Sequence, residues 1–250
     1  MAVHHPLIVG LIAVVAIAVS GCGDSQSSSD DAPSLPQADE AVTLDPSEFT
    51  TQIDNRYWPM RPGDRWVFSE IDADGTKQKV VVTVTDETKQ LANGVTARVV
   101  HDIVSAGGET VEDTYDWYAQ DAEGNVWYMG EDTKEYENGK VKTTAGSWEA
   151  GVDGAQPGIA VPANPEPGMT YRQEHLAGEA EDRAEVLSVD EFVEVPAGSY
   201  KDVLMTKDFT PLQPEVLEHK FFAPDVGPVL ALGISGGSSR EELLRYSRGG

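Results

Sequence analysis

KVVVTVT at residues 79–85 and VTARVVHDIV at residues 95–104 decide the fold. Both runs are rich in β-branched residues and alternate with a period of two, the pattern of half-buried strands. Asn93-Gly94 falls at their junction and supplies the positive φ of a tight hairpin turn. Strands joined this closely are antiparallel neighbours. Working outward, residues 184–195 and 216–222 read the same way. Asp74-Gly75, Gly107-Gly108, Gly124-Asn125 and Asn138-Gly139 punctuate the chain at hairpin spacing. No long segment has a helical period; residues 46–51 suggest a single turn. The pattern predicts one all-β domain over residues 44–247, an antiparallel meander of about ten to twelve strands curled into a barrel or a deeply curved sheet. The Gly- and Pro-rich stretch 147–168 (SWEAGVDGAQPGIAVPANPEPG) breaks the rhythm and reads as a long loop.

The start of the chain belongs to export rather than to the fold. Residues 6–20 (PLIVGLIAVVAIAVS) are apolar and uncharged. This run suits a signal-peptide core and is short for a membrane span of about twenty residues. Met1 to His5 contain no Lys or Arg, so positive charge there comes from the α-amino group and His4 and His5. The run ends in Val19-Ser20-Gly21-Cys22, which resembles the lipobox of bacterial lipoproteins. That resemblance implies a diacylglyceryl thioether and further acylation, such as palmitate, on Cys22. It also implies cleavage after Gly21 and an outward-facing, lipid-anchored position at the cell membrane, periplasmic or extracellular. An ordinary signal peptide with a chance cysteine is the competing reading. Cys22 is the chain's one cysteine and has no disulfide partner, which favours lipidation. Two acyl chains anchor stably where one is marginal.

The chain holds 43 Asp and Glu against 18 Lys and Arg, for a net charge of −25, and residues 1–21 carry none of these. So acidic a protein lacks the basic footprint of a nucleic-acid binder. It suits a solvated surface or the attraction of cations. Residues 22–43 are Ser-, Asp- and Pro-rich with little to bury, and are expected to form a disordered tether spanning roughly 25 Å.

Several motifs then resemble a family of uncharacterised bacterial exported proteins and lipoproteins. They are Asp116-Trp117-Tyr118-Ala119-Gln120-Asp121, Gly124-Asn125-Val126-Trp127-Tyr128, Gly130-Glu131-Asp132-Thr133, and GSWEAGVDG at 146–154. Pro62-Gly63-Asp64-Arg65-Trp66, Val195-Pro196-Ala197-Gly198-Ser199-Tyr200 and Phe222-Ala223-Pro224-Asp225-Val226-Gly227 extend the likeness over residues 50–240. The resemblance implies a curved antiparallel sheet like that of periplasmic lipoprotein carriers and implies no activity. Pro228 stands where an aliphatic residue is expected, so the last strand is expected to be interrupted there.

Chemistry-bearing motifs are sparse. Gly233-Ile234-Ser235-Gly236-Gly237 has the letters of a nucleophile elbow, but no His follows His219 and the α/β context is missing. Asp72-Ala73-Asp74-Gly75 and Asp121-Ala122-Glu123-Gly124 place Gly too early for a calcium loop and read as hairpin turns. Zinc-spaced cysteines, a phosphate loop and a dinucleotide fingerprint are all missing from the sequence, and no cofactor is expected. By strand parity His101 and His219 point to the apolar side and Asp102 and Glu218 away from it, which makes the histidines weak metal candidates. Trp117, Trp127, Tyr128 and Trp148 are candidate lining residues of a concave face that takes a lipid or other apolar ligand. Non-catalytic binding of such a ligand at the cell envelope is the favoured function. A cation-binding acidic surface protein is the second. An envelope hydrolase using carboxylate pairs such as Glu131 with Asp132 or Glu149 with Asp153 is the third.

Overall fold

The Asn93-Gly94 hairpin stands in the middle of one wall of the sheet. The computed structural model describes residues 35–250, so the signal peptide, Cys22 and residues 22–34 of the tether lie outside the described residues. A 3-10 turn at Pro46–Glu48, capped by the Asp45 side chain, precedes the strands. These are β1 (Arg65–Ile71), β2 (Lys77–Gln90), β3 (Thr96–Ala106), β4 (Glu109–Gln120), β5 (Val126–Glu137), β6 (Lys140–Thr143), β7 (Trp148–Glu149) and β8 (Gln156–Val161). They continue with β9 (Thr170–Arg172), β10 (Glu174–His175), β11 (Arg183–Val195), β12 (Gly198–Phe209), β13 (Leu217–Ala223), β14 (Gly227–Ser235) and β15 (Arg240–Ser247).

The strands form an antiparallel meander in the order β10-β8-β5-β4-β3-β2-β1-β15-β14-β13-β12-β11-β9, with β6 and β7 beside β5. Thirteen strands along this path slightly exceed the expected ten to twelve, because β9 and β10 are too short to show a period in sequence. β9 and β10 flank Gln173 yet stand at opposite ends of the order, β9 on β11 and β10 on β8. The sheet is therefore a nearly closed barrel, with its seam at residues 170–175. Gly158 in β8 is required at this seam, since a Cβ there would collide with the main chain of Arg172 and Gln173.

Three expectations change. The stretch 147–168 is not one long loop: it contains β7 and β8, and residues 157–161 are buried. Its Gly and Pro serve turns and the seam, and they masked the short apolar strand between them. Pro228 does not interrupt β14. It is the second residue of the strand, beside the register shift between Phe221 and Phe222, where a missing N–H is tolerated. The tether ends earlier than residue 43, because residues 36–42 are stitched to the seam. Arg172 N–H donates to the Pro36 carbonyl, Gln37 Nε2 to the Thr170 carbonyl, and Val42 N–H to Gln156 Oε1.

Register assigns the faces, because directly opposed residues share one. Phe68 opposes Val80, Val82 opposes Asp102, Val100 opposes Asp116, and Asp116 opposes Glu131. Around the other side, Glu70 opposes Glu241, Ala231 opposes Lys220, and Lys220 opposes Thr206. This is the inner face. The outer face carries Lys79, His101, Asp113, Lys134, Glu185 and Lys207, a surface built for water rather than for lipid. No helix among the described residues is long and apolar enough to cross a membrane.

Candidate functional site: a carboxylate-lined interior over an aromatic floor

The inner face is polarised along the barrel. On β1 the inward positions run Trp66, Phe68, Glu70; on β4 they run back from Tyr118 to Asp116, Thr114 and Glu112. On β13 they run from Phe222 to Lys220 and Glu218, and on β12 from Leu204 to Thr206 and Asp208. Neighbouring strands alternate in direction, so all these series place the apolar residues at one end and the carboxylates toward the other.

Rings close the apolar end. Trp148, Tyr128, Tyr118, Trp58 and Phe222 form a chain with successive centroids 5.4, 5.1, 5.2 and 5.9 Å apart. These separations lie within the range of favourable aromatic pairs. Trp58 belongs to no strand, and it seats beside Gly227, where a side chain would meet its ring. Two rings of the chain are tied to carboxylates. Tyr128 donates its hydroxyl to Asp116 Oδ1 at 2.8 Å, and Trp148 its indole N–H to Glu174 Oε2 at 2.8 Å.

Above the rings the walls are acidic. Asp102, Asp116, Glu131 and Asp208 are buried. Asp102 Oδ1 is fully enclosed and has no hydrogen-bond partner. Burial first, and then Asp116 and Glu112, hold its carboxyl well above the usual carboxylate range. Burial followed by Glu131 raises Asp116 to about 7, opposed by the Tyr128 hydrogen bond. Burial, then Glu218, Asp72 and Glu112, raises Glu70 to about 7. Glu241 is raised well above its ordinary value by burial and then by Glu70, Asp102 and Glu218. These carboxyls come from strands on both sides of β1, so their charges converge on one interior. Lys220 answers two of them, lying 3.0 Å from Asp208 Oδ2 and 3.6 Å from Glu218 Oε2. Burial would lower its ammonium pKa, but the two carboxylates outweigh that and hold it above its ordinary value.

The residues singled out in sequence divide between the two faces. His101 and His219 lie on the outer face, and Asp102 and Glu218 point inward, the reverse of the expectation. The β3 run is apolar on both sides, with Val99 and Val100 both buried, so parity alone had no means to tell inside from outside. His101 stacks on Tyr115 at 4.2 Å and bonds Asp113 at 2.7 Å. His219 is on β13, five positions from β3 in the strand order, so the two histidines share no site. Trp117 and Trp127 are also on the outer face, away from the concave side expected for them. Lys89 Nζ sits 3.2 Å above the Trp117 ring. Trp127 packs edge-on against Phe49 and donates its N–H to Asp121. Trp148 and Tyr128 do face inward. Trp58, Tyr118, Asp102 and Asp116 were missed. The signal for Asp116 and Tyr118 was present in the like-parity series Glu112, Thr114, Asp116, Tyr118, in which ring and carboxylate share one face.

The remaining motifs are structural where the geometry describes them. Asp72 Oδ1 accepts from the Asp74 and Thr76 N–H groups, and Asp121 Oδ1 accepts from the Asn125 N–H, as hairpin-turn caps. Ser235 donates its hydroxyl to the Glu215 carbonyl. Glu131 and Asp132 point to opposite faces, and Asp132 pairs with Lys134. Glu149 pairs with Lys89 at 2.8 Å, and Asp153 sits in an exposed turn. Among the described residues no three His, Cys, Asp or Glu side chains converge closely enough to hold a metal ion.

No protein-family model matches the chain, and no curated protein matches it. Among solved structures, the chain is similar to a protein from Parabacteroides distasonis provisionally described as a lipoprotein. The identity is 13% and the TM-score 0.38, over 77% of this chain and 99% of that one.

Proposed function

We propose that this chain is an exported lipoprotein, anchored through Cys22, whose barrel binds a cationic ligand in its acidic interior rather than catalysing a reaction. The observation that carries the reading is Asp102 Oδ1, a buried carboxylate oxygen with no hydrogen-bond partner in a wall shared with Asp116 and Glu131. Burying a carboxyl without a partner costs about 1–3 kcal/mol, and a bound cation recovers that loss.

The apolar-ligand reading keeps its aromatic floor but meets the wrong walls. A neutral chain leaves Asp102 unpaired, and a fatty acid brings a further negative charge to the carboxylates. The test is the melting temperature at matched ionic strength in sodium, magnesium, calcium, spermidine and decyltrimethylammonium chlorides. At least one cation should stabilise the wild type beyond sodium and lose most of that effect in Asp102→Asn. Identical melting in all five salts would overturn the proposal.

A further inference from the structure

We propose that the outer face of β15, β1 and β2 is a docking surface for a linear anionic polymer, a chain of phosphate, sulfate or carboxylate groups laid lengthwise along β1. The surface lies on the opposite side of the wall from the interior, so the proposal stands apart from the cation-binding reading.

Charge is sorted across these strands. β1, residues 77–85 of β2 and the whole of β3 carry two carboxylates, Glu70 and Asp102, and both point inward. On β15 Glu241 points inward as well, and the outward Glu242 is held by Arg240 at 2.8 Å. The cations face the other way. Arg65, Lys77, Lys79 and Arg245 oppose Thr83, Ile71, Ser69 and Val67 on the outer face.

These four cations are unpaired. Among the described residues none of them meets a carboxylate, whereas Lys89, Lys134, Lys142 and Lys207 elsewhere on the barrel each do. Lys77, Lys79 and Arg245 are exposed. In a chain with 43 acidic residues, four neighbouring cations without a partner make a local field opposite in sign to the net charge of −25. Beyond about 8 Å at physiological salt the rest of that charge is screened, so a polyanion in contact with the wall meets the cations first. Behind the wall, burial and then Glu218, Asp72 and Glu112 raise Glu70 to about 7, which lessens its opposing charge.

The arrangement is a track. Lys77 stands beside Ile71, Lys79 beside Ser69 and Arg245 beside Val67, and Arg65 begins β1. The four cations thus follow β1 over its length, about 20 Å at about 3.4 Å per residue. The hydroxyls of Ser69, Thr83 and Ser247 lie on the same face and can donate to oxyanions. A bilayer is the other anionic surface to weigh. The outside of a barrel is convex and meets a plane along a line. Its exposed large apolar residues here are Ile71 and Leu244, well short of the apolar face that interfacial insertion uses. A chain molecule matches the track.

The experiment titrates the full chain with polyphosphate, heparin and polyglutamate, with dextran as the uncharged control, and follows binding by calorimetry over a range of salt concentrations. At least one polyanion should bind where dextran does not. The logarithm of its binding constant should fall against the logarithm of salt concentration with a slope of about −3, as for four cations on a single-stranded polyanion. Arg65→Thr, Lys77→Thr, Lys79→Thr and Arg245→Thr together should weaken binding at least about tenfold and flatten that slope. A variant matched in net charge, with Lys134→Thr, Lys140→Thr, Lys142→Thr and Lys201→Thr, should bind as the wild type does. If the first variant does not fold, Lys77→Thr with Lys79→Thr should reduce the slope by about 1.4. No binding by any polyanion overturns the proposal, and so does an equal loss in both fourfold variants. Retention on phosphatidylglycerol over phosphatidylcholine vesicles that depends on the four cations, with no polymer bound, also overturns it and gives the wall to a bilayer.

Discussion

The Arg172 guanidinium on β9 clasps the Pro157 carbonyl on β8 with two hydrogen bonds, 2.9 Å from Nη2 and 3.2 Å from Nε. Its Nη1 reaches the carbonyls of Ala38 and Glu40 at 3.0 and 2.6 Å. One side chain, 1% exposed, thus closes the seam and fastens residues 38–40 to it. Its partners are backbone oxygens rather than a carboxylate. Arg172→Ala should cost about 3 kcal/mol or more, because a buried set of carbonyls loses its donors. Urea unfolding gives the magnitude. Amide exchange should rise at residues 36–42 and 156–161 before it rises elsewhere, and uniform acceleration across the barrel would count against the seam assignment.

Trp127 should behave as a packing residue. It is buried on the outer face against Phe49, with its N–H on Asp121. Trp127→Ala should lose about 3–5 kcal/mol of stability in denaturant titrations. Ligand binding by the folded variant should match the wild type, and a selective loss of binding would return Trp127 to the site.

Stability should fall between mildly acidic and neutral pH. Glu70 and Asp116 are raised to about 7 by burial and then by neighbouring carboxylates, against about 4 in an unfolded chain. Between those values the folded state holds protons that the unfolded state has lost, so stability decreases as pH rises. Below the window both states are protonated, and above it both are ionised. The urea midpoint should be higher at about pH 5 than at about pH 8, and Asp116→Asn should narrow the difference. An unchanged difference in that variant would remove Asp116 from the account.

Lys220→Met strips the counter-charge from Asp208 and Glu218, which it meets at 3.0 and 3.6 Å. The expected loss is about 3–5 kcal/mol near neutral pH, as for one partner removed from a buried ion pair. Acidification should restore part of it by protonating Glu218, whose carboxyl burial pushes up. A loss independent of pH would indicate that packing, not charge, is what Lys220 contributes.

For the anchor, Cys22→Ser should leave the barrel folded and move the protein from the membrane fraction to the soluble one, or halt its maturation. Mass spectrometry of the mature wild type should find an acylated N-terminal Cys22. A mature chain that still begins at Met1 or Ala2 would contradict the lipoprotein reading.

The strands were legible where a period of two ran long enough. Residues 79–85 fall within β2 and residues 96–104 within β3, one residue later than the run begins, and all five glycine-containing turns separate the strands as expected. β8 was hidden because Gly158 and Pro157 answer to the seam, a contact with β9 and β10 that no local pattern announces. The site was legible in part. Tyr128 and Trp148 face inward, but Asp102 and Glu218 were set aside in favour of the histidines next to them. The assumption that the buried face is the one without carboxylates fails here, since this interior is acidic and Ala97 and Val99 on the outer side of β3 are buried as well.

The strand order has a consequence for how the chain is assembled. β1 is hydrogen-bonded to β2 on one side and to β15, almost the whole domain later, on the other. Contacts so distant in sequence make folding slow. A polypeptide delivered amino-end first has no partner for that side of β1 until its last strand emerges. The architecture itself thus postpones closure of that side of β1 until the final strand is available.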